Sequence, residues 1–185
     1  MKRSLIALAF AAALVLTLVP LKQATADPGS MTFQYLLGTG ILCGLGPTAC
    51  PDKAMASFNG DIIEIAGEGV LTIHPKTVTG GGTFVHKDSA GNIIASGNWT
   101  AEELLSFNLY PGTDPNLPPT FRGGTANIKV RLWPSGGGPS LGAILKVECT
   151  IGNTPGGAIE GIRLTVQDGL NFNQEVSGFT VFIMQ

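Results

Sequence analysis

Charge is scarce in this sequence: 13% of its residues are Asp, Glu, Lys or Arg, whereas 44% are hydrophobic. That ratio excludes a self-repelling disordered chain and points to a packed core. Basic residues form no long run, which argues against a nucleic-acid partner or an anionic membrane surface. Histidine is limited to His74 and His86, and neither stands at a metal-like spacing from a cysteine, so no metal site is expected. No Gly-x-Ser-x-Gly elbow occurs and no cysteine adjoins a histidine, which lowers the prospect of nucleophilic catalysis. The triplets Gly80-Gly81-Gly82 and Gly136-Gly137-Gly138 lack a following Lys-Ser/Thr pair, so they read as turns rather than phosphate cradles. The alternating Asp/Asn pattern of a calcium loop is also missing, and no cofactor is implied. Downstream of the first 26 residues there is no apolar run long enough to span a bilayer as a helix.

Several features are present. Met1-Lys2-Arg3, the apolar run Leu5 to Val19 and the small residues Ala24-Thr25-Ala26 have the three-part form of a secretory signal, which predicts export and a mature chain of residues 27–185. Its removal leaves 8 basic against 13 acidic residues, a net charge of −5, in a length suited to one domain. The expected location is extracellular or periplasmic. In such an oxidising compartment Cys43 and Cys50, flanking a short turn-forming stretch, are expected to form a disulfide; pairing of either with Cys149 is the alternative. Cys149 shares strand parity with Leu141, Ala143, Leu145 and Val147, which favours a buried thiol.

Period-two alternation separated by Gly, Pro, Asn and Asp clusters predicts about eight to ten antiparallel strands and an all-β fold, either a β-sandwich or a closed β-barrel. A hairpin or bulge is expected at Gly67-Glu68-Gly69, and another hairpin at Asp88-Ser89-Ala90-Gly91. Thr100-Ala101-Glu102-Glu103 matches a capping box, so a short helix is expected near 100–106, in competition with a strand. Pro111, Pro115, Pro118 and Pro119 mark a long loop between Tyr110 and Gly124.

Candidate chemistry is sparse. His86 and His74, with Glu64 or Glu148 as carboxylate partner, are the acid–base candidates, and Glu68 and Glu160 complete the set of glutamates from which a carboxylate pair could be drawn. For each histidine the plainer role is a strand-end or partly buried residue satisfied by its neighbours. Trp133, Arg131, Tyr110 and Phe121 are the binding candidates, since Trp133 shares the parity of Lys129 and Arg131 on the polar face, unless the Pro-rich loop covers it. Asn98-Trp99-Thr100 is a glycosylation triplet. The leading expectation is a secreted, non-catalytic module that binds a small molecule, glycan or protein. An enzyme with a His/carboxylate pair in a cavity, and a surface-matrix protein that associates through an unpaired edge strand at Phe179 to Met184, are the alternatives.

Overall fold

The structure, a computed structural model, describes residues 29–185; the predicted export signal at 1–26 lies outside the described residues. Twelve strands follow one another: β1 Thr32–Leu37, β2 Asp52–Met55, β3 Ile62–Thr72, β4 Thr77–Lys87, β5 Ile93–Leu109 and β6 Phe121–Arg122, then β7 Gly124–Pro134, β8 Leu141–Cys149, β9 Gly161–Val166, β10 Asn171–Phe172, β11 Gln174–Ser177 and β12 Thr180–Met184. One 3₁₀ helix, Gly40–Leu45, follows β1. The all-β, antiparallel expectation therefore holds. All twelve belong to one sheet whose main path runs β10-β9-β8-β7-β5-β4-β3-β1-β12-β6, with β2 and β11 off this path; the two ends of the path are not paired with each other, so it does not close.

The sheet forks at β3. Its first residues pair with β2 (Ile62 to Ile65), while Gly67 to Thr72 pair with β1 along the same edge. The β2 branch carries β11, and both of these strands approach β9, so the two arms curl around a shared interior. Alternation fills that interior as the sequence pattern requires: Ile128, Val130 and Leu132 of β7 and Leu145 and Val147 of β8 are buried, joined by Phe33, Tyr35, Trp99 and Phe182. Burial of such side chains contributes about 1.5–3 kcal/mol each.

The glycine-rich segments differ from expectation. Gly67-Glu68-Gly69 is neither a hairpin nor a bulge but lies inside β3, and Gly80-Gly81-Gly82 lies inside β4 rather than in a turn. These glycines make room for two large rings. A Cβ at Gly67 would stand 2.5 Å from Trp99 Cζ2, and one at Gly69 or Gly80 would stand 2.5 or 2.4 Å from the Tyr35 hydroxyl oxygen. Trp99 donates its indole N–H to Ala66 O at 3.2 Å and Tyr35 donates its hydroxyl to Thr79 O at 3.1 Å, so both rings are packed and satisfied over the glycine patch. The second hairpin is as expected: Asp88 Oδ1 accepts from the amides of Ala90 and Asn92, and Gly91 takes a φ of 87°.

Residues 100–106 form no helix. They belong to β5, paired with β7, and register shifts between Ala101 and Glu103 and between Leu104 and Ser106 insert extra residues. These bulges bring Trp99, Ala101, Leu104 and Phe107 to the core at near-helical spacing. Glu102 meets Arg131 across the ladder, with Arg131 Nε donating to Oε1 at 2.5 Å. Pairing with β7 outweighs a local cap worth about 1 kcal/mol. A final difference concerns the C-terminal strand, which is not an unpaired edge: β1 covers one side of β12 and β6 pairs with Phe182 and Ile183 on the other.

Candidate functional site

At one end of the sheet four segments distant in sequence enclose a cleft of about 640 Å³. Its first wall is the 3₁₀ helix, bearing Ile41, Leu42 and Leu45. Leu42 is buried against Leu36 and Val181, anchoring the helix to the sheet. The Cys43–Cys50 disulfide, as expected, ties the helix to the segment leading into β2. Gly38 permits the turn before it, having a φ of 50° and so little space that a Cβ would meet the Asp52 nitrogen at 2.2 Å.

The second wall is the Pro-rich loop, which contributes Thr113, Asp114, Pro115, Leu117 and, at its end, Phe121. Prolines deny this segment a ladder, and local bonds shape it instead: Asn116 N and Nδ2 donate to Asp114 Oδ1 at 2.8 and 3.1 Å, and Phe121 N donates to Pro118 O at 2.9 Å. Asn153 N donates to Pro111 O at 2.7 Å and joins this loop to the loop after β8. The floor comprises Cys149, Thr150, Ile151, Glu160, Phe179, Thr180 and Val181.

Glu160 supplies the floor's charge. Its Oε1 accepts from the amide and hydroxyl of Thr180 at 2.7 and 3.0 Å, and its Oε2 accepts from the amide and hydroxyl of Thr150 at 2.7 and 3.0 Å. Burial raises its pKa above the usual carboxylate range, and these donors oppose the rise. Burial, with Glu160 nearby, also pushes the Cys149 thiol up to about 12, which makes it an inert thiol. Around the mouth, Ile41 (59% exposed), Leu45 (64%), Leu117 (37%) and Phe179 (41%) leave large apolar side chains open to solvent. Single exposed hydrophobics are ordinary, but four lining one cavity are not.

Of the sequence candidates, Phe121 and Glu160 reach this cleft and the others do not. Tyr110 is buried elsewhere, donating its hydroxyl to Glu148 Oε1 at 2.6 Å, with Thr125 Oγ1 donating to the same oxygen at 3.1 Å and Lys146 Nζ bonded to Oε2. Burial opposes ionisation of Glu148, but Lys146 and Tyr110 prevail and hold its pKa below the usual value. Glu64 lies between Lys53 (3.0 Å) and Lys87 (2.8 Å). The β3–β4 register pairs Ile63 with His86 and Glu64 with Val85, so Glu64 and His86 occupy opposite faces. Glu148, opposite Thr125 on the Lys129 and Arg131 side of β7, is also on the face away from His86.

His86 instead has Asp61, with Nε2 2.9 Å from Asp61 Oδ2, and its ring meets Phe172 edge-on at 5.2 Å. This pair adjoins an apolar recess of about 200 Å³ whose lining has no hydroxyl or thiol side chain. Asp61, just ahead of β3, gave no signal in the sequence because the hairpin register alone brings it to His86. His74 is exposed in the β3–β4 connection. Trp133 is 49% exposed and donates its indole N–H to Thr100 Oγ1 at 3.1 Å. The Pro-rich loop does not cover it, since that loop joins the opposite end of β7, roughly 30 Å of strand away. Arg131 is engaged with Glu102, and Asn98 is exposed on the strand facing Trp133.

Comparison with protein-family models, curated proteins and solved structures finds no match in any of the three.

Proposed function

We propose that this is an exported, non-catalytic binding protein whose cleft, between the disulfide-tied helix and the Pro-rich loop, takes an apolar small molecule. The observation that carries this reading is the gathering of exposed Ile41, Leu45, Leu117 and Phe179 around one cavity of about 640 Å³. Ligand sites of this kind are concave, mostly apolar and provided with a few polar groups. Export is supported by the signal-like segment at 1–26 and by the disulfide.

A glycan or protein site on the Trp133 face has less support, because the indole N–H is bonded to Thr100 and the Arg131 guanidinium to Glu102. Titration with the neutral dye Nile red tests the choice. One saturable site is expected, weakened at least tenfold by Leu45→Asp or Leu117→Asp and unchanged by Trp133→Ala. Absence of binding, or loss with Trp133→Ala alone, would refute the reading.

A further inference from the structure

The cleft is apolar, but its charge has one sign. Asp114 in the Pro-rich wall and Glu160 in the floor line it, whereas no lysine, arginine or histidine among the described residues does. Neither acid is neutralised by an ion pair among the described residues. Both bonds from Asn116 to Asp114 fall on Oδ1. At Glu160 the compensation by donors is incomplete. The Thr180 hydroxyl lies within bonding distance of Glu160 Oε1 (3.0 Å) and of the Glu148 carbonyl (2.7 Å), and its single proton serves only one of them at a time. An anionic head group entering here would meet two carboxyl groups and no cation, at a site where apolar walls reduce screening. A positive group meets the opposite situation, and the rings of Phe121 and Phe179 in the same lining add π surface of the kind that attracts ammonium groups.

Building on the reading of the cleft as an apolar binding site, we propose that its ligand is a cationic amphiphile, an aliphatic or aromatic body carrying an amine or quaternary ammonium group. The apolar part lies along Ile41, Leu45 and Leu117, and the cation lies toward Asp114 and Glu160. Charge complementarity of this type acts on discrimination more than on total affinity.

The test compares three amphiphiles of equal chain length, each below its micelle concentration, as displacers of Nile red from the purified protein: dodecyltrimethylammonium, dodecyl maltoside and dodecanoate. The ammonium compound is expected to displace the dye at concentrations at least tenfold lower than dodecanoate. Asp114→Asn should reduce that ratio severalfold and leave the maltoside curve unchanged, and Glu160→Gln should reduce it further. Because Glu160→Gln alters a half-buried group bonded to both Thr150 and Thr180 and risks the fold, the loop variant Asp114→Asn carries the test by itself. Equal or tighter binding of dodecanoate, or a preference that Asp114→Asn leaves intact, would overturn the inference while maltoside binding still upheld the cleft. Failure of all three, and of the dye, would refute the cleft and this inference together.

Discussion

Replacing Cys43 and Cys50 together by serine tests whether the disulfide builds the cleft. The bridge spans a sequence separation of 7, and in the chain-entropy treatment closing so short a loop in the unfolded state corresponds to about 2.5 kcal/mol at 25 °C. If the helix Gly40–Leu45 unfolds with the rest of the domain, that amount appears globally. For a domain of this size it lowers Tm by roughly 5–10 °C. Leu42 is the helix's buried anchor, whereas Ile41 and Leu45 are exposed, so the helix has little apolar burial of its own to replace the covalent tie. The variant is therefore expected to bind Nile red at least fivefold more weakly even at temperatures where its far-ultraviolet circular dichroism remains that of the native sheet. Calorimetry gives the first quantity and dye titration the second. A variant with unchanged Tm and unchanged affinity would refute the claim that the bridge holds this wall.

Three further outcomes follow from the packing. Gly69→Ala, which in an open strand would be neutral or mildly stabilising, should destabilise by more than about 2 kcal/mol in denaturant titration, because its Cβ would lie 2.0 Å from Thr79 O and 2.5 Å from the Tyr35 hydroxyl. Asp52 is fully buried, neither carboxyl oxygen has a hydrogen-bond partner among the described residues, and the nearby Gly38 amide donates to Phe179 O; burial, then Glu160, pushes its pKa up to about 9. Its folded pKa exceeds the unfolded one, so its contribution is fully present below about pH 4 and is lost as pH rises toward 9, at up to about 1.4 kcal/mol per pH unit. Asp52→Asn should flatten the stability profile across that window, and identical profiles would exclude the effect. Glu148 has the opposite sign: its folded pKa is depressed, so the stability it supplies is present above its unfolded pKa and is lost as acid takes the pH through the lower folded value. Lys146→Met should therefore cost about 1–3 kcal/mol at pH 7, with the difference disappearing in strong acid.

What the sequence made legible was local. Alternation in Ile128 to Leu132 and Leu141 to Cys149 identified strands and their buried faces, because side-chain parity is a property of the strand itself. The turn at Asp88 to Gly91 and the Cys43–Cys50 pair were readable for the same reason, as their partners lie within a few residues. Glycines carry an ambiguous signal. Gly67, Gly69 and Gly80 resemble turn residues until Tyr35 of β1 and Trp99 of β5 are known to lie over them. Likewise, Leu104 and Phe107 stand three residues apart, a helical spacing produced by strand bulges that only pairing with β7 reveals.

The cleft was the least legible part. Its walls come from residues 41–45, 113–121, 149–160 and 179–181, and their convergence depends on the fork at β3 and on β12 lying between β1 and β6. Phe121 was marked as an aromatic beside a Pro-rich loop, whereas Ile41 and Leu45 were hidden in an apolar stretch with no periodic pattern. Glu160 appeared only as one of several glutamates, since nothing local announces that Thr150 and Thr180 enclose it. Exposure of large apolar side chains is a property of the folded surface, and sequence hydropathy does not report it.

The most direct measurement of the central claim is methyl NMR of the isotope-labelled protein titrated with dodecyl maltoside below its micelle concentration. Saturable shifts in the methyl groups of Ile41, Leu42, Leu45 and Leu117, with Leu141 and Ile144 on the opposite end and outer face unmoved, are the predicted result. Shifts confined to Leu141 and Ile144, or no saturable shift at all, would contradict it.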